Sequence, residues 1–307
     1  LKDYRLSAMG KAWYKGNLHC HTTDSDGAEP PQAMIQHYQT AGWDFLVVTD
    51  HEVFSDYSSR GSREFLVLPG IEVGRDVAVG CHHVVGVAPP AAAQSHGSVF
   101  EPPHQKTPDP GQGLVDSMAE RGYLPMYCHP VWSRREFPDL ETMQAFGLLE
   151  IYNHGCHWEN ATGMGLHIWD NYLRRGRRIW GTAVDDCHSS GGDSLGAWVV
   201  VRSSALSPEA ILASLEAGHF YASSGPAIYE WAAEEGEIVV RCSPVRSVEF
   251  IAYEQRGLSV HADHPGGLTE ARFRPQGREI FVRAQCVDYR GLTAWTNPIF
   301  LNDCKHA

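Results

Sequence analysis

The sequence predicts an α/β fold: a run of mainly parallel strands, closed as a barrel or open as a sheet, followed by a smaller antiparallel β region. Three observations predict it. Up to about residue 225, short runs rich in Val, Ile and Leu alternate with helical patterns, which implies βαβ units. After SSGPAI (223–228) the helical patterns stop, and short strands separated by turns continue to about residue 303. His, Asp and Glu also recur where the first set of runs ends. The expected division is one domain over 1–225 and a β-rich domain over 226–307.

NLHCH (17–21), FLVVTDH (45–51), FLVLPGIEV (65–73), HHVVGVA (82–88), LPMYCHP (124–130), LLEIYN (148–153), RIWGTAVDDCH (178–188) and WVVVRSS (198–204) read as strands. Their near-continuous apolar character suggests parallel strands covered on both faces. Helices fall between several of them. PPQAMIQHYQTAG begins with prolines and stops at Gly42. GLHIWDNYLRRG sets Leu166, Trp169, Tyr172 and Leu173 on one face. SPEAILASLEAGH has Ser207 as N-cap, Pro208 in the first turn and Ile211, Leu212 and Leu215 on one face. Residues 89–113, rich in Pro, Gly and small residues, read as a long loop that is a lid or a surface insertion. Beyond 226, EIVVRC, VEFIAYE, EARFRP, EIFVRAQCVD and AWTNPIFLN read as the strands of a small antiparallel sheet or sandwich.

A formal net charge of −12 argues against nucleic acid as a main partner, which needs a basic footprint. It leaves a small anionic substrate open, because bound cations lie outside that count. No apolar run reaches the length of a membrane-spanning helix, so no membrane partner is expected. The eight cysteines form no C-x-x-C pair, which excludes a zinc ribbon, and their dispersal fits a reducing compartment. The N-terminus has no signal-peptide apolar core and begins with Leu rather than Met. A cytoplasmic location, with residues removed upstream, is the expectation. There is no Walker A loop and no G-x-S-x-G elbow.

The chemistry concentrates in NLHCHTTDSDG (17–27). Residues two apart on a strand share a face, so His19 and His21 converge while Cys20 turns away. Asp186 and His188 repeat that spacing. His51, Glu72 and His129 lie late in their runs, where parallel α/β folds carry active sites. His83 is the exception, near the start of its run. Parity lets only one of His82 and His83 reach the site. A carboxylate in an apolar strand, such as Glu72, is costly unless paired or metal-bound. His, Asp and Glu without cysteine suit Zn²⁺, Mn²⁺ or Fe²⁺. Parity also turns Cys128 and Cys187 away, and it puts Asp50 and Asp185 behind the site as groups that orient imidazoles.

H-x-H-T-x-x-S-D-G, then T-D-H, P-G-I-E-V, H-V-V-G, C-H-P and D-x-H together resemble the PHP (polymerase and histidinol phosphatase) superfamily, over roughly residues 12–224. Asp26, not Asp24, matches the S-D-G aspartate. YASSGP and AWTNPIF in the C-terminal part look like a branch of that superfamily named after carbaryl hydrolase. The resemblance implies a distorted, TIM-like (β/α)₇ barrel with a trinuclear metal centre. His19, His21, Glu72 and Asp186 would hold the first ion. Glu72 would bridge to a second, held by His83 and His129. Asp26, His51 and His188 would hold the third.

The expected reaction is attack of a metal-bridging hydroxide on a small phosphate ester, with two or three Zn, Mn or Fe ions per chain. Asp186 would orient the nucleophile and His188 would protonate the leaving oxygen. Arg75, Asn153, His154 and His157, with Trp158, are the candidate substrate contacts. Three rivals stand beside this: hydrolysis of a carboxylic ester, carbamate or amide; a non-catalytic metal-binding module; and a polymerase-associated exonuclease domain, which the acidic charge disfavours.

Overall fold

The computed structural model describes residues 4–7, 12–101, 109–253 and 255–301. After β1 (Tyr4–Ser7), which joins a separate sheet, the chain lays down β2 (Ala12–Asn17), β3 (Phe45–Val48), β4 (Leu66–Asp76), β5 (Cys81–Val87), β6 (Leu124–Tyr127), β7 (Leu148–Asn153) and β8 (Trp180–Val184) as neighbours in chain order. Each of β3 to β8, with Leu18 just past β2, contributes to one apolar cluster that includes Phe45, Val47, Leu68, Val85, Met126, Leu148 and Val184. The alternate residues Leu46, Val48 and Val67 face the other way, against α1 (Pro31–Thr40) and its buried Met34, Ile35 and Tyr38. Both faces are therefore covered, which is why the strands read as continuous apolar runs. Each fully buried aliphatic side chain contributes roughly 1.5–3 kcal/mol.

Not all pairs are parallel. β2–β3, β3–β4, β6–β7 and β7–β8 are, but β5 runs antiparallel to both β4 and β6. The cause is the connection: only VAVG (77–80) separates β4 from β5, closed by Val77 N–H to Gly80 O at 3.1 Å with Gly80 at φ +77°. A parallel crossover needs about a dozen residues or more. β9 (Trp198–Ser203) is likewise antiparallel to β2, and β10 (Phe220–Ser223) to β9.

The loop expected over 89–113 ends earlier. Residues 102–108 lie outside the described residues, and α2 (Pro110–Glu120) has begun by Pro110. Asp109 caps it by accepting from the N–H groups of Gly111 and Gln112. α3 (Phe137–Leu140) and α4 (His154–Asn160) are short helices not foreseen from the sequence. α5 (Leu166–Arg174) and α6 (Pro208–Glu216) bury Trp169, Tyr172 and Leu173, and Ile211, Leu212 and Leu215.

The remaining strands are antiparallel: β11 (Ile228–Glu234), β12 (Glu237–Val245), β13 (Ser247–Ala252), β14 (Gly257–His261), β15 (Leu268–Phe273), β16 (Phe281–Val287), β17 (Thr293–Thr296) and β18 (Ile299–Phe300). β1, β11, β12 and β15 form a four-stranded sheet. β17 pairs with β10, so the large sheet continues unbroken into this region. The two sheets enclose a core around Trp231, Val240, Phe250 and Cys286. Arg283 of β16 makes a buried two-pronged pair with Asp170 of α5, at 2.8 and 2.9 Å. Among the described residues, no helix is long and apolar enough to cross a membrane.

Candidate metal centre

At the C-terminal ends of β2 and β8 the chain departs from regular strand, yet the two ends stay joined. Asp186 N–H donates to His19 O at 3.0 Å, His21 N–H donates to Cys187 O at 2.9 Å, and Cys20 and Cys187 form a parallel bridge. Cys20 and Cys187 point into the α1 cluster. His19, His21 and Asp186 point the other way. Asp186 and His129 have positive φ, 51° and 22°. Such backbone costs about 1–3 kcal/mol per residue and tends to collect at functional sites.

Four donor atoms meet there. Nε2 of His21 lies 3.1 Å from Nε2 of His19, 3.1 Å from Oδ1 of Asp186 and 3.2 Å from Oε2 of Glu72. Nε2 of His19 lies 3.1 Å from the same Glu72 oxygen and 3.2 Å from Asp186 Oδ1. Tetrahedral donors about 2.0 Å from one ion lie about 3.3 Å apart. Glu72 Oε2 is buried and has no hydrogen-bond partner, an expense that a cation would relieve. The donor set and the orphaned oxygen fit a divalent ion.

The other carboxylate oxygen, Oε1 of Glu72, lies 2.8 Å from Nδ1 of His83 and 3.3 Å from Nε2 of His129. The antiparallel course of β5 explains His83. Its strand start lies beside Gly74 at the far end of β4, so the residue that was the exception reaches the same rim. His51 Nδ1 sits 3.2 Å from Glu72 Oε2. Toward solvent, the Asp26 carboxylate lies 3.5 Å from His188 Nε2 and 3.7 Å from both His51 Nε2 and His21 Nδ1. His21, Asp26, His51 and His188 form a second grouping of donors.

Charge follows from this packing. Burial opposes protonation of His21, but the Asp186 and Glu72 carboxylates beside its Nε2 outweigh it and raise its pKa to about 10. Burial likewise opposes protonation of His83, but Glu72 and Cys81 outweigh it and raise its pKa to about 11. Burial would push Glu72 up, yet His19, His83 and His51 hold it well below the usual carboxylate range.

Sequence reasoning missed the group behind this centre. Glu150 accepts from His19 Nδ1 at 2.7 Å, His129 N–H at 2.8 Å and Asn153 Nδ2 at 2.9 Å. The signal was present: Glu150 is a carboxylate inside LLEIYN, the situation that singled out Glu72. Asp50 and Asp185 do not orient imidazoles. Asp50 accepts from Thr22 N–H, Ser25 Oγ and Ser55 Oγ and so shapes the 22–27 loop. Asp185 accepts from Tyr38 and the N–H groups of Leu195, Gly196 and Ala197. Cys128 does not turn away as parity suggested. It shares the face of Met126 and groups with His19 and Glu150, while the positive φ at His129 lets the next residue reach the same centre. His82 does turn away, to the Tyr127 hydroxyl at 2.8 Å.

A cleft of about 580 Å³ opens over the centre, lined by Asp26, His51, Glu72, His83, His129, Asp186 and His188 and rimmed by Trp132, Trp158, Glu159 and Asp193. Buried Cys156 also lines it, 3.8 Å from Asp186 Oδ2. The expected substrate contacts fall elsewhere. Arg75 is exposed on β4 and does not line the cleft. Asn153 is fully buried, caps α4 through Cys156 N–H and donates to Asp186 Oδ2 at 3.0 Å. His154 holds Gly192 O at 3.0 Å, and His157 is exposed with its ring 5.6 Å from that of Tyr152. Of this group, only Trp158 lines the cleft.

No protein-family model and no curated protein matches the sequence. Solved structures do. A two-domain protein from Bacteroides vulgatus, containing a predicted PHP-like metal-dependent phosphoesterase, is similar at TM-score 0.54 and 15% identity over 92% of each chain. A candidate metal-dependent phosphoesterase from Bifidobacterium adolescentis is similar at TM-score 0.42 and 16% identity, over 57% of this chain and 88% of that one. An amidohydrolase from Chromobacterium violaceum, with bound sulfate and no metal, is similar at TM-score 0.42 and 16% identity, over 58% and 89%. The first defines the class of architecture: this chain is a mixed α/β protein that shares the fold of a two-domain, PHP-like chain over nearly its whole length.

Proposed function

We propose that the chain is a PHP-superfamily metal-dependent hydrolase, a phosphoesterase that cleaves a small phosphate ester. One observation carries it: the buried Glu72 carboxylate turns Oε2 to His19, His21 and His51, and Oε1 to His83 and His129. A single carboxylate so placed suits shared ligation of neighbouring cations. The run β2 to β8, with its first and last strands joined through Cys20 and Cys187, supports the distorted (β/α)₇ barrel reading. His19, His21, Glu72 and Asp186 would hold one ion, Glu72, His83 and His129 a second, and Asp26, His51 and His188 a third, as Zn, Mn or Fe.

Cations held there would supply acidification of a water and neutralisation of phosphoryl oxygens. The chain's own groups do the rest. Asp186, fixed by the Asn153 amide, orients the attacking water and takes its proton. With only the first two ions bound, His188, at the cleft mouth and 3.5 Å from Asp26, gives a proton to the leaving oxygen; with a third bound, it would serve as a ligand instead. Water oxygen joins phosphorus, the phosphorus–oxygen ester bond breaks, and the products are an alcohol and inorganic phosphate.

One observation favours a second reading, hydrolysis of a carboxylic ester or carbamate. Among the described residues, no Lys or Arg lines the cleft, so a neutral carbonyl substrate meets no missing partner there. The test is a panel of phosphomonoesters, aryl esters and carbamates, assayed with Mn²⁺ or Zn²⁺ and after chelation. Metal-dependent turnover of a phosphomonoester is expected. Turnover confined to carbonyl substrates moves the assignment to the second reading, and no metal-dependent turnover of any substrate removes both.

A further inference from the structure

The rim of the cleft is aromatic and acidic. Trp132, from the segment after β6, packs its ring 4.9 Å from that of His129 and 6.0 Å from that of His83. Its Nε1 donates to Glu159 Oε2 at 3.0 Å, which ties it to α4. Trp158, one residue earlier on α4, rests on Gly192, where a Cβ would lie 2.4 Å from its Cε2. Trp158 nevertheless remains 68% exposed. A bulky indole held against a glycine, left open to solvent and lining the same cleft as the donor cluster, is a surface made for a planar group. The charges nearby limit what that group carries: Glu159 and Asp193 line the rim, and among the described residues no Lys or Arg does.

We propose that Trp132 and Trp158 form a ring-binding wall that seats an aromatic or heteroaromatic leaving group bearing no negative charge. The word leaving rests on the hydrolase reading; the ring preference does not. Stacking of a ring on an aromatic side chain is worth about 1–3 kcal/mol, roughly five- to 150-fold in affinity.

The test is calorimetric titration of the full, Mn²⁺-loaded chain with 1-naphthylmethylphosphonate and with methylphosphonate, neither of which is hydrolysed. The naphthyl ligand is expected to bind at least about tenfold tighter. Trp158→Ala should narrow that gap to about twofold, and Trp158→Phe should keep most of it. A sulfonate added to the naphthyl ring should weaken binding. Equal affinities for the two phosphonates in the unaltered chain, a gap unchanged in Trp158→Ala, or tighter binding of the sulfonated ring would overturn the wall. Turnover of 1-naphthyl phosphate and 1-naphthyl acetate is scored separately. Ring preference without turnover of either ester keeps the wall and removes the hydrolase reading; turnover without ring preference does the reverse.

Discussion

Oε1 of Glu150 lies 2.7 Å from Nδ1 of His19, and both residues are fully or almost fully buried. That contact holds a proton on Nδ1, so Nε2, which faces Glu72 and Asp186, is the atom left to bind a cation once the proton those carboxylates hold there is displaced. The second Glu150 oxygen accepts from His129 N–H and the Asn153 amide. A glutamine cannot satisfy all three, because its NH₂ group must face a donor on one side or the other. Glu150→Gln is therefore expected to weaken metal binding by about 10–100-fold while the chain still folds. Calorimetric titration and metal analysis read the affinity, and circular dichroism reads the fold. Unchanged affinity in a folded variant would show that Glu150 does not govern His19.

Much of this centre was legible in the sequence, because strand parity survives even where the strands end. His19 with His21 and Asp186 with His188 share a face as two-residue spacing requires. The failures have local causes. The direction of β5 depends on the length of the turn before it, VAVG, not on its apolar pattern, so the place of His83 near the start of its run does not reveal that it reaches the rim. A positive φ at His129 lets His129 face the centre beside Cys128, which strict alternation forbids. The start of α2 was hidden by glycines, although Asp109–Pro110 is a cap followed by a first-turn proline. Arg75 lies three residues after Glu72, and Asn153, His154 and His157 end or follow LLEIYN, but proximity along the chain does not tell which way a side chain turns.

Metal loading should release protons. His21, raised to about 10 by Asp186 and Glu72, and His83, raised to about 11 by Glu72 and Cys81, are expected to be imidazolium in the metal-free chain at neutral pH. A cation binds only the neutral ring, so it must displace those protons. Affinity should rise as pH rises through the neutral range. Titrating Zn²⁺ in two buffers of different ionisation enthalpy at the same pH measures the protons released. Identical apparent enthalpies in both buffers would contradict this charge assignment.

Acid should loosen the C-terminal region through Glu279. This carboxylate is 1% exposed and accepts from the N–H groups of Gln276, Gly277 and Arg278 at 2.9–3.1 Å. Burial would raise its pKa, but the backbone donors prevail and hold it below the ordinary value of 4.5. A depressed carboxylate contributes stability above its unfolded pKa and loses it as pH falls through the folded one. Glu279→Gln should cost about 1–3 kcal/mol at pH 7 and less near pH 3. Urea unfolding at the two pH values checks this. A cost independent of pH would mean that the loop is held by shape rather than by charge.

Gly155 couples α4 to the metal-type donors. A Cβ there would lie 2.6 Å from Asp186 O and 2.9 Å from Asp185 O, both backbone atoms that no rotamer change can move. Gly155 N–H also donates to Asp185 O at 2.7 Å, and Asp186 N–H is bonded to His19 O. A methyl group at 155 must therefore shift the end of β8, and with it Asp186 and His188, relative to His19. Gly147 is the matched control: a Cβ there meets nothing within 4 Å. Gly155→Ala should lose about tenfold or more in metal affinity, comparable to removing a group that orients a ligand, whereas Gly147→Ala should stay within about 0.5 kcal/mol in stability and keep its affinity. Melting temperatures with and without Zn²⁺ separate the two effects. If Gly155→Ala lowers the melting temperature of the metal-free chain yet retains the full upward shift on adding Zn²⁺, the strand end tolerates the methyl group, and Asp186 is positioned by its bond to His19 rather than by α4.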